Sequence, residues 1–436
     1  MAALGLIEIW GRQGLVNGML LAFGMAEPVS IYGLSGILLA HVFFNLPLAT
    51  RLLMARLEAV PDEYWRNAGQ LGLGSRDRFR FIEWPHMRGH IAGVAGLVFM
   101  LCVTSFTLVL LLGGGPRATT IEVAIYQALR FDFDPPRAVV LALLQIVLTA
   151  VLLAVMALIG RPAEEGATLG RVSRQYTRDG LLSGVADYGL ILLSAVLVVA
   201  PMVAIVVAGL SADLGRLVME AAVIRAFATS LAIGFSAACL CVFMSTILIE
   251  GRNAALPFAD ASRSAGIFRM AAAGASSLIL LVPPVVLGSG WFVLLRGQAD
   301  VFSLAPVFVT VINALMALPF VMRVLEPAHA NHIARIGRLS ASLGLSGFDR
   351  LRHVDWPGLR RPLLLALAFA MALSLGDLGA IALFGSEDVT TLPYLLLQRM
   401  GSYRTADASG LALILGLVCL VLMTVATAGP GRRALP

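Results

Sequence analysis

RNAGQLGLGSRDRFRFIEWPHMR, residues Arg66 to Arg88, returns 272 positions later without a gap as RLSASLGLSGFDRLRHVDWPGLR, Arg338 to Arg360. The identities are Arg66 with Arg338, Leu71-Gly72-Leu73 with Leu343-Gly344-Leu345, Asp77-Arg78 with Asp349-Arg350, Arg80 with Arg352, Trp84-Pro85 with Trp356-Pro357, and Arg88 with Arg360. Gly72 and Gly344 suit a tight chain reversal or a close backbone approach. Pro85 and Pro357 suit the first turn of a following helix. Between them Phe79, Phe81 and Ile82, or Leu351, His353 and Val354, alternate with Arg. Each copy therefore reads as an amphipathic segment held at a membrane surface and offered to a partner.

The surroundings of the two copies are apolar. The 436 residues are 59% hydrophobic and 13% charged, with a mean hydropathy of +0.88, against roughly 25% charged in soluble chains. Apolar blocks long enough to cross a bilayer as helices lie at 31–53, 91–112, 138–160, 187–210, 224–250, 273–296, 303–326, 363–385 and 407–427. The fold class is all-α, a polytopic helical membrane protein. Residues 1–24 are apolar but broken by Glu8, Arg12, Gln13 and Asn17, and read as the tail of a span. Cys102, Cys239, Cys241 and Cys419 sit inside apolar blocks as small core residues.

All positive side chains are Arg, since the chain contains no Lys. That excludes a P-loop ATPase, whose Lys reaches the nucleotide phosphates, and Schiff-base chemistry. The gaps 51–90, 161–186, 251–272 and 323–362, with the C-terminal tail, hold 23 of the 32 Arg, among a net charge of +6. By the positive-inside rule these gaps and the C-terminus are expected to be cytoplasmic. The charge tracks topology, so nucleic acid is not an expected partner. No basic n-region with a cleavage site opens the chain.

The 272-residue shift also places Pro47 on Pro319, Arg51 on Arg323, and the blocks 91–112 and 138–160 on 363–385 and 407–427. Six span-steps separate the copies, so both lie the same way up, as parallel repeats do. The expected organisation is a first domain over 1–160, a basic cytoplasmic linker over 161–186, a six-span domain over 187–427 and a tail over 428–436. Asp187 lies 132 positions before Pro319, whereas Met1 lies 46 before Pro47. The difference of 86 makes the first half look incomplete, like a twelve-span protein read from within its third span.

Gly followed thirteen residues later by Pro, in a loop between spans, resembles the EAA loop of binding-protein-dependent ABC importer permeases, and two copies in one chain resemble their fused form. The family's Glu-Ala-Ala positions hold Arg66-Asn67-Ala68 and Arg338-Leu339-Ser340 here, so its Glu is missing from both copies. Ile31 to Arg51, the EWP and DWP loop ends, SLGDLGAIALFG from Ser374 to Gly385, and TLPYLLLQRMGSYR from Thr391 to Arg404 are most similar to the thiamine and thiamine-diphosphate permeases of that family. Fused ferric-iron permeases share the architecture. The resemblance implies a type I importer fold in a bacterial inner membrane, two copies of an ATPase subunit that binds the ATP, and a periplasmic substrate-binding protein. It also implies that Leu71, Gly72, Leu73, Trp84 and Pro85, with Leu343, Gly344, Leu345, Trp356 and Pro357, form the ATPase-coupling loops. No catalytic, cofactor or metal residues are expected in this chain.

Ionisable residues inside spans are costly and are often functional. Asp377 lies within 363–385, and its repeat counterpart is Ser105. A carboxylate beside a pathway attracts a cationic ring, with Phe106, Tyr126 or Tyr403 offering a ring face. The alternative is that Asp377 only hydrogen-bonds near Ser374 and Gly376. The pairs His86/His90 and His329/His332 have spacings seen in metal sites but lack a third ligand, and read as solvated or partner-facing. Gly113 to Pro116 reads as a turn at the outer mouth. An ion-coupled secondary transporter also uses parallel repeats but has no reason to repeat a long Gly-to-Pro loop. A membrane enzyme finds no cluster of His, Asp or Glu in the spans.

Overall fold

A computed structural model describes residues 2–12, 14–25, 27–113, 118–159, 181–255, 264, 266–268, 271–272, 274, 282–295, 303–345, 347–386 and 389–427. Among these, every regular element is helical. The expected linker, the tail and the Gly113 to Pro116 turn lie wholly or largely outside the described residues. The chain forms two compact units, one of Ala2–Ala124 with Leu143–Val207, the other of Ile125–Ala142 with Ala208–Pro436.

Eight described helices are long and apolar enough to cross a membrane: Leu34–Glu58, Ser75–Val103, Pro135–Val155, Gly184–Leu210, Ala221–Ala255, Ala305–Gly337, Leu351–Gly376 and Thr405–Thr427. Of the expected span 273–296 the described part is a shorter helix, Pro284–Leu295. Leu190, Ile191, Leu192 and Leu193 are all exposed in succession. A stretch of helix apolar and exposed on every side suits solvation by lipid.

In the second unit, Ala221–Ala255, Ala305–Ser342 and Trp356–Gly376 pack against one another. Small residues permit this: Ala226, Ser230, Gly234, Ala237 and Ala238 are buried along the first of these helices. A Cβ on Gly234 would touch Leu375 and Met371. Membrane helices approach closely through such small side chains, because lipid supplies no hydrophobic drive for helix association. In the first unit Leu34–Glu58 packs on Trp84–Val103 and on the short helix Thr107–Leu112.

Four readings change. The block 91–112 is not one helix: Trp84–Val103 ends at Thr104, whose Oγ1 donates to the Met100 carbonyl at 2.9 Å, and Thr107–Leu112 starts anew. The block 363–385 breaks at the same repeat position, between Trp356–Gly376 and Gly379–Phe384, with Asp377 extended at φ −76°, ψ 133°. There a short polar side chain offers the backbone an alternative to the helical ladder. The block 303–326 is the start of a 38-residue helix, Ala305–Ser342, which runs through much of what reads as loop. Finally, residues 1–24 are two helices, Ala2–Trp10 and Leu15–Ala22. The buried Asn17 side chain separates them by donating to the Gly11 carbonyl at 2.7 Å and bridging to both backbone groups of Val29.

Candidate functional site

Each copy of the repeated loop is built on the same cap. The helix Asp62–Gln70 ends with Gly72 at φ +65°, the Leu73 N–H bonding the Ala68 carbonyl at 3.0 Å and the Gly72 N–H bonding that of Gly69 at 3.2 Å. This is a Schellman cap, which needs a left-handed residue after the last helical one. In the second copy Gly344 sits at φ +67° and the Leu345 N–H bonds the Ser340 carbonyl at 3.0 Å. The residue before each Gly is thrust outward, Leu71 at 75% and Leu343 at 64% exposure. Both loops then make one π-helical turn, Phe79–Glu83 or Leu351–Asp355, closed by the N–H of Trp84 on Phe79 or of Trp356 on Leu351. Such i→i+5 turns are rare and recur at functional sites. Trp84 and Trp356 are exposed, and Pro85 and Pro357 open the next helices.

What lies beneath the caps differs. Under the first, Val60, Trp65, Ala68 and Ile82 form a small buried cluster, with Leu73 against it. Under the second, the His332 Nε2 meets the Asp355 Oδ1 at 3.0 Å, and the Arg350 Nε meets the Asp355 Oδ2 at 3.3 Å. His329 contacts Glu250 at 2.7 Å and the Asn253 amide at 3.4 Å. Both histidines are therefore buried and paired, which corrects the solvated reading. His86 is partly buried, its Nδ1 2.6 Å from the Ile82 carbonyl.

At the second helix break lies a cavity of about 330 Å³ lined by Asn313, Met316, Ala317, Phe320, Ala372, Leu373, Ser374, Gly376 and Asp377. The Asp377 carboxylate accepts the N–H groups of Gly379 at 3.4 Å and Ala380 at 3.2 Å, so it caps the helix Gly379–Phe384. The Asn313 Nδ2 donates to the Ser374 Oγ at 2.8 Å. Ser105, Phe106, Tyr126 and Tyr403 are not among the lining residues. Ser105 and a buried Phe106 form the break at the matching position of the first copy. Tyr126 is buried edge-on to Phe131 at 5.7 Å. Burial pushes its phenol above the ordinary range, with Tyr394 adding and Arg130 opposing. Tyr403 follows the helix Leu392–Gly401 at φ +59° and is 93% exposed.

Sequence reasoning passed over Asn313, whose signal is one amide in an apolar run. It also passed over a charged cluster in the second unit: Arg399 and Arg216 pair with Glu220 and Asp407, and Arg404 with Asp407. These residues flank the ends of four helices, Leu214–Met219, Ala221–Ala255, Leu392–Gly401 and Thr405–Thr427, and their shared position at helix ends is the signal.

Paired helical membrane domains in one chain, each with a glycine-capped loop and a span broken at the same place, define the membrane component of a transporter. Residues 15–163 match the family described as binding-protein-dependent transport system inner membrane component. The chain is 54% identical to the thiamine transport system permease protein ThiP of Brucella suis over 99% of its own length and 78% of that protein's. It is 43% identical to ThiP of Escherichia coli K12 over 99% and 80%, and 37% identical to ThiP of Haemophilus influenzae over 96% and 77%. The chain belongs to the ThiP family of thiamine transport permeases, within the ABC importers. It is thus a multi-pass inner membrane protein of a system that includes ATPase and substrate-binding components.

Proposed function

We propose that this chain forms the membrane pathway through which a bacterial cell imports thiamine. The repeated loops face the cytoplasm, as does the C-terminus, and each receives one copy of an ATPase subunit. A periplasmic binding protein delivers substrate to the opposite face. ATP is bound and hydrolysed elsewhere, consistent with a chain that has no Lys for a phosphate-binding loop. In this scheme Leu71-Gly72-Leu73 and Leu343-Gly344-Leu345 carry the motion of the ATPase pair into the spans, switching the pathway between its two sides. Trp84-Pro85 and Trp356-Pro357 hand that motion to the helices that follow.

The observation that carries this reading is the same glycine cap, with the same outward Leu, at the same place in both repeats. A loop under no partner's constraint has no reason to keep an exposed Leu twice. The test is Gly72→Asp with Gly344→Asp in the assembled importer. Asp tolerates the left-handed region better than most residues, and a Cβ at either site meets nothing within 4 Å, so the protein folds. ATP hydrolysis is expected to persist while thiamine uptake falls to background. Unchanged uptake in the double variant overturns the coupling assignment.

A further inference from the structure

We propose that the cavity at the second helix break is a binding site for a cationic heteroaromatic ring carrying an amino group, with Asp377 as counter-charge and Asn313 as the group that reads the amine. The inference rests on the transport reading above and goes further by assigning the residues that select the substrate.

Three observations converge within one unit. First, Asn313 is buried to 5% exposure and lines the cavity, yet only one end of its amide is used. Its Nδ2 lies 2.8 Å from the Ser374 Oγ and 3.5 Å from the Ser374 carbonyl, an acceptor that fixes this end as the nitrogen. Among the described residues its Oδ1 has no hydrogen-bond partner. A buried carbonyl left without a donor is costly, and a ligand N–H removes the cost. Second, Asp377 lines the same cavity, and its oxygens receive two backbone N–H groups. Among the described residues no Arg or His pairs with it, so its charge is open to a ligand. Third, the remaining wall is apolar, with Met316, Ala317, Leu373 and the Phe320 ring. That ring stands edge-on to Phe369 at 6.3 Å and carries the Arg323 guanidinium over it, 5.7 Å from its centroid, an arrangement that shows it accepting a delocalised cation. A mostly apolar cavity with a few convergent polar groups is the form of small-ligand sites, and about 330 Å³ lies at the small end of their range of about 300–1,000 Å³.

The chemistry selects a class. A carboxylate with an aromatic neighbour favours a delocalised cation. A lone carbonyl acceptor favours an amino group over a carbonyl. None of the lining residues is cationic and one is a carboxylate, so a phosphate finds no counter-charge among them. Thiamine, a thiazolium joined to an aminopyrimidine, meets all three demands.

Binding of radiolabelled thiamine to the assembled permease and ATPase in nanodiscs, without the binding protein, tests this directly. Asp377→Asn and Asn313→Leu are each expected to weaken binding by about tenfold or more. In addition, Asn313→Leu erases the preference for thiamine over its analogue with the amino group replaced by oxo. Unchanged assembly with the ATPase on size-exclusion chromatography and an unchanged thermal unfolding transition separate a lost site from a misfolded protein. Should the Leu variant not fold, Asn313→His, which installs the first repeat's His41, is expected to shift the same analogue preference. Unaltered affinity and preference in the variants, or no measurable binding to a wild-type complex that does take up thiamine, overturns the site alone. A wild-type complex that takes up no thiamine overturns the functional reading itself.

Discussion

The two repeated loops share their caps and differ in their foundations. In the first, Pro61 breaks the chain between Leu34–Glu58 and Asp62–Gln70, and the short helix is held down by the apolar cluster around Trp65. In the second, Ile333 stands where Pro61 does, the helix Ala305–Ser342 runs on unbroken, and the loop is tied to it by His332 and Asp355. Proline disfavours the helical conformation of the residue before it; Pro47, Pro319 and Pro327 are tolerated within their helices, whereas the chain breaks at Pro61. Trp65 corresponds to Gly337 and Val60 to His332, so the apolar cluster cannot form in the second copy. One contact surface is thus presented by two unlike supports. The constraint that both copies obey lies at the exposed cap, where a partner would read it, and not in the packing below.

The largest break in this comparison comes from Trp65→Ala. Removing a buried Trp costs about 3–5 kcal/mol, and here it removes the largest side chain of a four-residue core. The first loop is expected to become sensitive to protease while the second stays resistant, and uptake is expected to fall steeply. Limited proteolysis mapped by mass spectrometry checks this. Equal cleavage of both loops would mean that they depend on each other, not on separate supports.

Much of this organisation was legible in the residues. The repeat, the glycine caps and most of the spans follow from spacing and hydropathy, because those signals survive in composition. The helix breaks did not. Ser105 and Asp377 sit in apolar runs, and hydropathy reports what a backbone segment can be buried in, not whether its ladder is continuous. The full length of Ala305–Ser342 was hidden for a related reason: beyond the bilayer its helix carries Arg335 and His329, and an apolar window ends where the polar stretch begins. His329 and His332 read as solvated or partner-facing because burial of a paired histidine depends on partners far along the chain, Glu250 and Asp355, which no local pattern names. Asn313 was invisible as a site residue because its meaning lies in an empty acceptor position, and sequence shows the group but not what fails to meet it.

A second test exchanges parts of the foundations. His86 in the first loop corresponds to Gly358 in the second, just as Val60 corresponds to His332. A Cβ on Gly358 would fall within the His332 ring. The imidazole thus comes from opposite sides of the two loops, and where one side supplies it the other must be small. Gly358→His alone is expected to cost about 1–3 kcal/mol by overpacking and to disturb the His332–Asp355 pair. Adding His332→Val restores the first loop's residue types, Val and His, at these two positions, and is expected to recover most of the loss, leaving Arg350 on Asp355. Thermal unfolding of the single and double variants gives the interaction between the two positions. Additive effects would show that the two histidines do not compete for one space.

The smallest effect tests what the loops share. Gly72 and Gly344 have nearly the same φ, +65° and +67°, and a Cβ at either has open space around it. Sterics with neighbours therefore add nothing, and the cost of Gly→Ala is that of the left-handed conformation alone, about 1–2 kcal/mol. That cost is expected to be equal at the two positions, despite an apolar core under one cap and an ion pair under the other. Asn, which enters this region more readily, is expected to cost less at both. A difference between Gly72→Ala and Gly344→Ala of more than about 0.5 kcal/mol, beyond the usual additivity error, would mean that the foundation reaches the cap. The two loops would then be unequal in stability as well as in support, and would be expected to lose their structure at different temperatures.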